Sequence, residues 1–223
     1  MKTKLLFSAL TKLLCGLVMV AGLLFLPAGT WHYFYAWLFI ILLFVPMLLL
    51  GVWLYCCQPV LLSKRLGNKE KEQQQKSVVA LSGLMFIGGF IVCGFDHRWG
   101  WSHVPTWGVV IASVVFLLGY ALYVEVMREN AYISRTVELQ EGQQLIDTGL
   151  YGIVRHPMYT ATILMFLAMP IVLGSLWALL IFMFYPVLMV LRIQNEEQVL
   201  SAGLLGYIDY QQRVRWRLIP GLW

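Results

Sequence analysis

The sequence predicts an all-α, polytopic integral membrane protein built from four spans and a C-terminal helical hairpin. Three observations lead there. Charged residues make up only 12% of the 223 residues, against 60% hydrophobic, whereas an ordinary soluble domain carries roughly a quarter charged. Four separate apolar runs, 5–26, 31–55, 78–95 and 107–127, are long enough to cross a bilayer. A fifth stretch, 159–191, contains no charged residue at all. As one straight helix it would be about 50 Å long, against a hydrocarbon core of about 30 Å. Pro170 and Gly174 near its middle predict a turn at 170–175, and hence a hairpin.

The elements follow in order. Lys2 and Lys4 precede the first run, as they would in a signal peptide. The run is longer than the usual h-region of about 7–15 residues and lacks a small-x-small cleavage site, so it reads as a retained span. Trp31, Tyr33, Tyr35 and Trp37 open the second run, where aromatic rings favour the membrane–water boundary. Residues 58–76 carry Lys64, Arg65, Lys69, Glu70, Lys71 and Glu72 and read as a solvated loop with room for a short helix. A short loop with His97, Arg98, Trp99, Trp101 and His103 separates the third and fourth spans. Residues 128–158 are polar, and the chain becomes polar and amphipathic again from Arg192.

Basic residues set the expected orientation. With a cytoplasmic N-terminus, every one of the sixteen lysines and arginines except Arg98 falls on the cytoplasmic side or its edge. The hairpin is required for this, because it returns the tail with Arg213, Arg215 and Arg217 to that side. Both termini are therefore expected in the cytoplasm, with the bacterial inner membrane as the location. The net charge of +5 is explained by basic residues flanking spans, and no nucleic-acid patch is present. Cys15, Cys56, Cys57 and Cys93 form no CxxC pair and have no histidine at ligand spacing, which argues against a disulfide framework or a metal site. Residues 1–106, with the first three spans, and 107–223 are expected to form one integrated domain.

Two groups could carry chemistry. The first runs from Asp147 to Tyr159 and contains Arg155-His156-Pro157. Gly149 and Gly152 permit tight turns, and Pro157 suits the first turn of the following helix. The bland reading is a helix-entrance loop whose Arg155 reaches lipid phosphates. The second is Arg192-Ile193-Gln194-Asn195-Glu196-Glu197. Arg192 and Glu196, four apart, share a helical face at the membrane edge, where ionisable groups are costly and often functional. Its bland reading is a surface i,i+4 ion pair worth a few tenths of a kcal/mol.

Leu145-Ile146-x-x-Gly149-x-Tyr151-x-x-x-Arg155-His156-Pro157-x-Tyr159, a long apolar hairpin, and then Arg192-x-x-x-Glu196-Glu197 resemble the isoprenylcysteine carboxyl methyltransferase and phospholipid methyltransferase family. Gly206-Tyr207, Tyr210 and Arg213 fit the same pattern over roughly residues 110–220. The resemblance implies a methyltransferase core in 107–223 that binds S-adenosylmethionine and acts on a lipid-like acceptor entering from the bilayer, without a metal. It implies that Gln140, Gln143, Gln144, Leu145, Ile146, Tyr151, His156, Pro157, Met158, Tyr159 and Glu196 contact the cofactor. It implies that Arg192 faces the acceptor and that Arg192 and Glu196 are catalytic. Gln143 stands where such proteins often have histidine.

Methyl transfer from a sulfonium needs alignment more than it needs a nucleophilic side chain. A carboxylate acceptor is already ionised at neutral pH, and Arg192 could hold it through paired hydrogen bonds. O-methylation of a carboxylate is the leading expectation. An amine acceptor, as in phospholipid N-methylation, needs a base, for which Glu196 or Glu197 is available. A reading from another class is an NADPH-dependent membrane sterol or isoprenoid reductase. A dinucleotide phosphate would favour a more basic 128–158 segment than this one.

Overall fold

The computed structural model describes residues 2–67, 73–133, 136, 139 and 141–223. The described residues contain nine α-helices: α1 (Lys2–Ala28), α2 (Phe34–Cys57), α3 (Pro59–Gly67), α4 (Gln73–Trp99), α5 (Thr106–Glu129), α6 (Pro157–Val172), α7 (Leu176–Phe182), α8 (Tyr185–Gly203) and α9 (Tyr207–Arg213). The apolar runs become helices because a lipid-facing backbone must satisfy its own hydrogen bonds. α1, α2, α4 and α5 are long and apolar enough to span a membrane. So is the α7–α8 segment, Leu176–Gly203, which pairs with the shorter apolar α6. The chain is thus a multi-pass integral membrane protein.

The expected hairpin is present, with its turn at Leu173, Gly174 and Ser175. Gly174 has φ 78°, a left-handed conformation that favours glycine. Ser175 caps α7 by accepting from Ala178 N at 3.1 Å. The return arm, however, is two helices rather than one, interrupted at Met183 and Phe184. Pro186 explains the break: it has no N–H to offer, and its ring crowds the carbonyl of Phe182. The short helix for which the 58–76 segment left room is α3, and the described part of that segment also contains the start of α4.

The helices pack through glycine. α5 lies along α6, where a side chain on Gly119 would come within 2.8 Å of Met165 and 3.1 Å of the Ala161 carbonyl. α1 lies against α4, and a Cβ on Gly94 would stand 2.6 Å from the Leu24 carbonyl oxygen. Small residues let apolar helices approach until backbones touch, which is how packing is gained in lipid. Gly94→Val is therefore expected to push α1 from α4 and cost about 1–3 kcal/mol or more, because the obstacle is backbone. Thermal unfolding in detergent measures it, and a wild-type melting temperature would refute the close contact.

The hairpin turn is fastened at one end of the bundle. Asp96 of α4 is 2% exposed and accepts from the Ser102 amide at 2.8 Å and from the hydroxyls of Ser102 and Ser175. Ser102 in turn accepts from Leu176 N at 3.0 Å. Tyr33 donates to the Leu173 carbonyl at 2.6 Å and stacks on His97 with centroids 4.0 Å apart. One carboxylate and one phenol thus bind the turn to the end of α4 and the start of α2.

Candidate functional site

At the opposite end of α6, three chain segments meet: the loop before Pro157, the second half of α8 and the tail after α9. The loop is shaped first by Glu129, whose carboxylate accepts from Leu150 N at 3.0 Å. Gly149 has φ 55°, and a side chain on it would run into that carboxylate. A 3-10 turn over Gly149–Gly152 follows. The tail then lies beside the loop as an extended partner. Arg155 N donates to the Trp216 carbonyl and His156 N to the Arg217 carbonyl, each at 2.9 Å.

A buried ionic cluster holds the three segments together. Glu197 of α8 is 5% exposed. It accepts from Arg155 Nε at 2.8 Å and from Arg217 Nε at 2.9 Å, and lies 3.3 Å from His156 Nε2. Arg155 also donates to the carbonyls of Val214 at 2.6 Å and Arg215 at 3.0 Å. Arg155 is 7% exposed, so it does not reach for lipid phosphates. The carboxylate sits among two guanidiniums and an imidazole, a geometry that offsets the cost of taking its charge out of water. Glu197 is thereby committed to structure, which leaves Glu196 as the carboxylate that faces open space.

Tyr159, the third residue of α6, stands between Arg192 and Glu196. Its hydroxyl donates to Glu196 Oε2 at 2.6 Å and accepts from Arg192 Nε at 3.0 Å. The two α8 side chains do share a face, as their spacing predicts, and α6 inserts a phenol between them. Gln75 of α4 braces this stretch by donating to Asn195 Oδ1 at 2.8 Å.

These residues border an open-sided cleft of about 100 Å³. Gln143, Gln144, Leu145, Ile146, Tyr151, His156, Met158, Tyr159, Arg192 and Glu196 all line it. Pro157 is buried at the start of α6 and shapes the wall without lining it. Gln140 lies outside the described residues. The lining also includes Asn130, Tyr132, Ile133, Thr136, Arg155, Val199, Leu200, Leu204, Tyr207 and Tyr210, which the sequence reading did not place in a site. Leu200 was legible, because it continues the 192–196 face by one turn. Asn130 to Thr136 carried no periodic or motif signal.

Tyr207 is informative. It is 3% exposed, and no hydrogen-bond partner reaches its hydroxyl among the described residues. A buried unpaired hydroxyl costs free energy unless a ligand satisfies it. Tyr210, by contrast, donates to the Tyr151 carbonyl at 2.7 Å. Burial pushes the phenols of Tyr151, Tyr207 and Tyr210 above their ordinary range, so all three remain neutral at physiological pH.

A second cavity of about 480 Å³ adjoins the first. Val78, Val79, Phe86, Phe166, Tyr185 and Met189, from α4, α6 and α8, are among its lining residues, as are Arg65 and Tyr123. Met158, Tyr159 and Arg192 line both cavities. A polar cleft and an apolar groove thus share one wall.

Known proteins resemble this chain in three ways. The phospholipid methyltransferase family model matches residues 107–203. The Delta(14)-sterol reductase of Methylotuvimicrobium alcaliphilum is 21% identical over 135 residues, covering 54% of this chain and 32% of that protein. The Delta(14)-sterol reductase of Mus musculus is 33% identical over 88 residues, covering 38% of this chain and 21% of that protein. The chain thus spans about a third or less of these relatives. The solved structure of a eukaryotic intramembrane Ras methyltransferase, isoprenylcysteine carboxyl methyltransferase, aligns over 96% of this chain and 86% of its own, with TM-score 0.49 and 18% identity. The family match begins one residue into α5 and ends with α8, so it contains Arg155, Tyr159, Arg192 and both glutamates. Residues 107–203, the half that carries the cleft, are thus similar to the phospholipid methyltransferase family.

Proposed function

We propose that this protein is a membrane-embedded, S-adenosylmethionine-dependent methyltransferase that O-methylates a carboxylate on a lipid-like or isoprenoid acceptor. The observation that carries the reading is the shared wall: one cleft suited to a soluble polar molecule and one groove suited to an apolar chain meet at Met158, Tyr159 and Arg192. A methyltransferase that joins a water-soluble donor to a lipid acceptor needs that arrangement. The proposed orientation places the cleft and both termini on the cytoplasmic side of the bacterial inner membrane.

The cleft residues fit the cofactor. The Tyr207 hydroxyl supplies an uncommitted buried donor. Gln143, Gln144 and Glu196 supply polar partners, and Leu145, Ile146 and Leu200 supply apolar surface. When bound, S-adenosylmethionine supplies an electrophilic methyl carbon on a sulfonium. The protein's task is then alignment. Arg192 orients the acceptor carboxylate at the shared wall, Tyr159 holds Arg192 and Glu196 at a fixed spacing, and Glu196 contributes negative charge to the cofactor side. No proton leaves the acceptor, so no base is required. Methylation of a phospholipid amine would place the amine against Arg192 and require Glu196 to accept its proton.

The sterol reductase relatives favour a second reading, a nicotinamide-dependent reductase of an isoprenoid lipid. Ligand-dependent melting separates the two. S-adenosylhomocysteine at a hundred times its Kd is expected to stabilise the purified protein by about 2.7 kcal/mol, while NADPH leaves its melting temperature unchanged. The reverse result would sink the methyltransferase reading.

A further inference from the structure

The apolar groove follows three helices, and on each its lining residues stand about one turn apart. α4 contributes Val78, Ser82 and Phe86, and α6 contributes Met158, Thr162 and Phe166. α8, which runs the other way, contributes Arg192, Met189 and Tyr185. Met158 and Arg192 belong to the wall shared with the cleft, so they mark the groove's mouth. From Met158 to Phe166, and from Arg192 back to Tyr185, the helices advance about 10–12 Å.

The three stripes end in three rings that touch. Phe86 meets Phe166 edge-on with centroids 4.7 Å apart, and Phe166 meets Tyr185 in the same way at 4.7 Å. Phe86 and Tyr185 are 6.4 Å apart. Among the described residues, none farther along α4 or α6, and none of α7, lines the groove. The space behind the rings is filled. Phe182 is fully buried, with its ring 5.4 Å from that of Phe86, and a side chain on Gly89 of α4 would run into it. Phe90 and Phe39 continue the cluster away from the groove. Rings packed edge to face are ordinary core material. Here they also form the end of a cavity, and Phe86 and Phe166 are only half-buried there.

We propose that the acceptor groove is blind, and that Phe86, Phe166 and Tyr185 are the floor that sets how much of a tail it takes. A charged head group cannot follow its tail into apolar surroundings without a large desolvation cost, so the tail is measured from the mouth. With C–C bonds of about 1.5 Å, a zigzag chain advances about 1.25 Å per carbon, and the groove holds roughly ten carbons. A flexible chain that ends or bends at the rings fits, whereas a straight, rigid tail longer than the groove does not. Phe86 lies outside the 107–203 family match, so the N-terminal half of the chain helps to set the depth. This rests on the groove being the acceptor site, as proposed above, but not on which cofactor fills the cleft.

The test uses rods that cannot bend: biphenyl-4-carboxylate, shorter than the groove, and quaterphenyl-4-carboxylate, longer than it. Each is titrated against the full purified chain in neutral detergent, with affinities corrected for partition of the rod into detergent. Wild-type protein is expected to bind the short rod at least about tenfold more tightly than the long one. Phe86→Ala and Phe166→Ala open the floor and are expected to gain about tenfold for the long rod, a gain that misfolding cannot produce. Ser82→Phe, one turn nearer the mouth, is expected to melt cooperatively and to lose about tenfold for the short rod. It decides the matter if the alanine variants do not fold. Equal binding of both rods by wild type would overturn the proposal. So would folded alanine variants that still reject the long rod, or a Ser82→Phe protein that binds the short rod as wild type does. If neither rod binds wild-type protein, the groove is not the acceptor site, and that reading falls together with its floor.

Discussion

Replacing Glu197 with alanine is expected to destabilise the folded protein by about 3–5 kcal/mol. The carboxylate is the common partner of Arg155, Arg217 and His156. Removing it leaves a guanidinium that is 6% exposed without its counter-charge, and that desolvation cost is what makes the loss large. The backbone pairing of 155–156 with 216–217 would loosen with it, so the tail should become susceptible to protease and the cleft should lose ligand affinity. Glu197→Gln keeps an acceptor oxygen and should cost less. Glu196→Ala, one residue away on the cleft side, should change stability by no more than about 1 kcal/mol. Thermal unfolding in detergent with limited proteolysis measures all three. If Glu197→Ala melted like Glu196→Ala, the ionic clamp would carry no weight.

Replacing Arg192 is expected to give the largest loss of activity. Arg192→Ala should lower kcat/KM for a carboxylate acceptor by about 100- to 1000-fold, the scale seen when a charged donor to a reacting group is removed. Arg192→Lys should recover little of this. A lysine ammonium is a point charge and cannot present the two parallel donors that fix a carboxylate's plane. It would also lose the guanidinium's Nε bond to Tyr159. S-adenosylhomocysteine should bind both variants nearly as well as wild type, because the loss falls on the acceptor side of the wall. Unchanged steady-state kinetics in Arg192→Lys would remove Arg192 from that role, and a parallel loss of cofactor affinity would move it to the cleft.

Local physics made much of this legible in the sequence. Length and lack of charge identified the spans, and Pro170 and Gly174 located the hairpin turn. The i,i+4 spacing put Arg192 and Glu196 on one face. The interactions that complete the site are not local. Arg155 and Glu197 are 42 residues apart, and Arg155 and Arg215 are 60 apart. No periodicity could pair them, nor tell that Glu197 would be consumed by structure while Glu196 stays available. The resemblance makes Tyr159 a cofactor contact and says nothing of its bonds to α8. Its place between Arg192 and Glu196 depends on how far α6 approaches α8, which follows from packing. Pro186 gave the only hint of the break in the return arm. The 58–76 charges leave room for a short helix such as α3, but its docking on the bundle through Leu61 and Leu62 is not legible from them.

The shortness of α6 has an energetic consequence. It has sixteen residues, about 24 Å, beside the 24-residue α5 of about 36 Å. Both have one end near the Asp96 latch, so α6 stops about 12 Å short of its neighbour at the other end. The cleft fills that notch, and the shared wall therefore lies recessed below the level where α5 finishes. Lifting a sixteen-carbon tail from a membrane into water would cost about 12 kcal/mol at about 0.8 kcal/mol per methylene. In the proposed reading, a recessed reaction point removes the need for that extraction. Only the head group of the proposed acceptor would have to move, and its hydrocarbon would stay dissolved in lipid from arrival to departure.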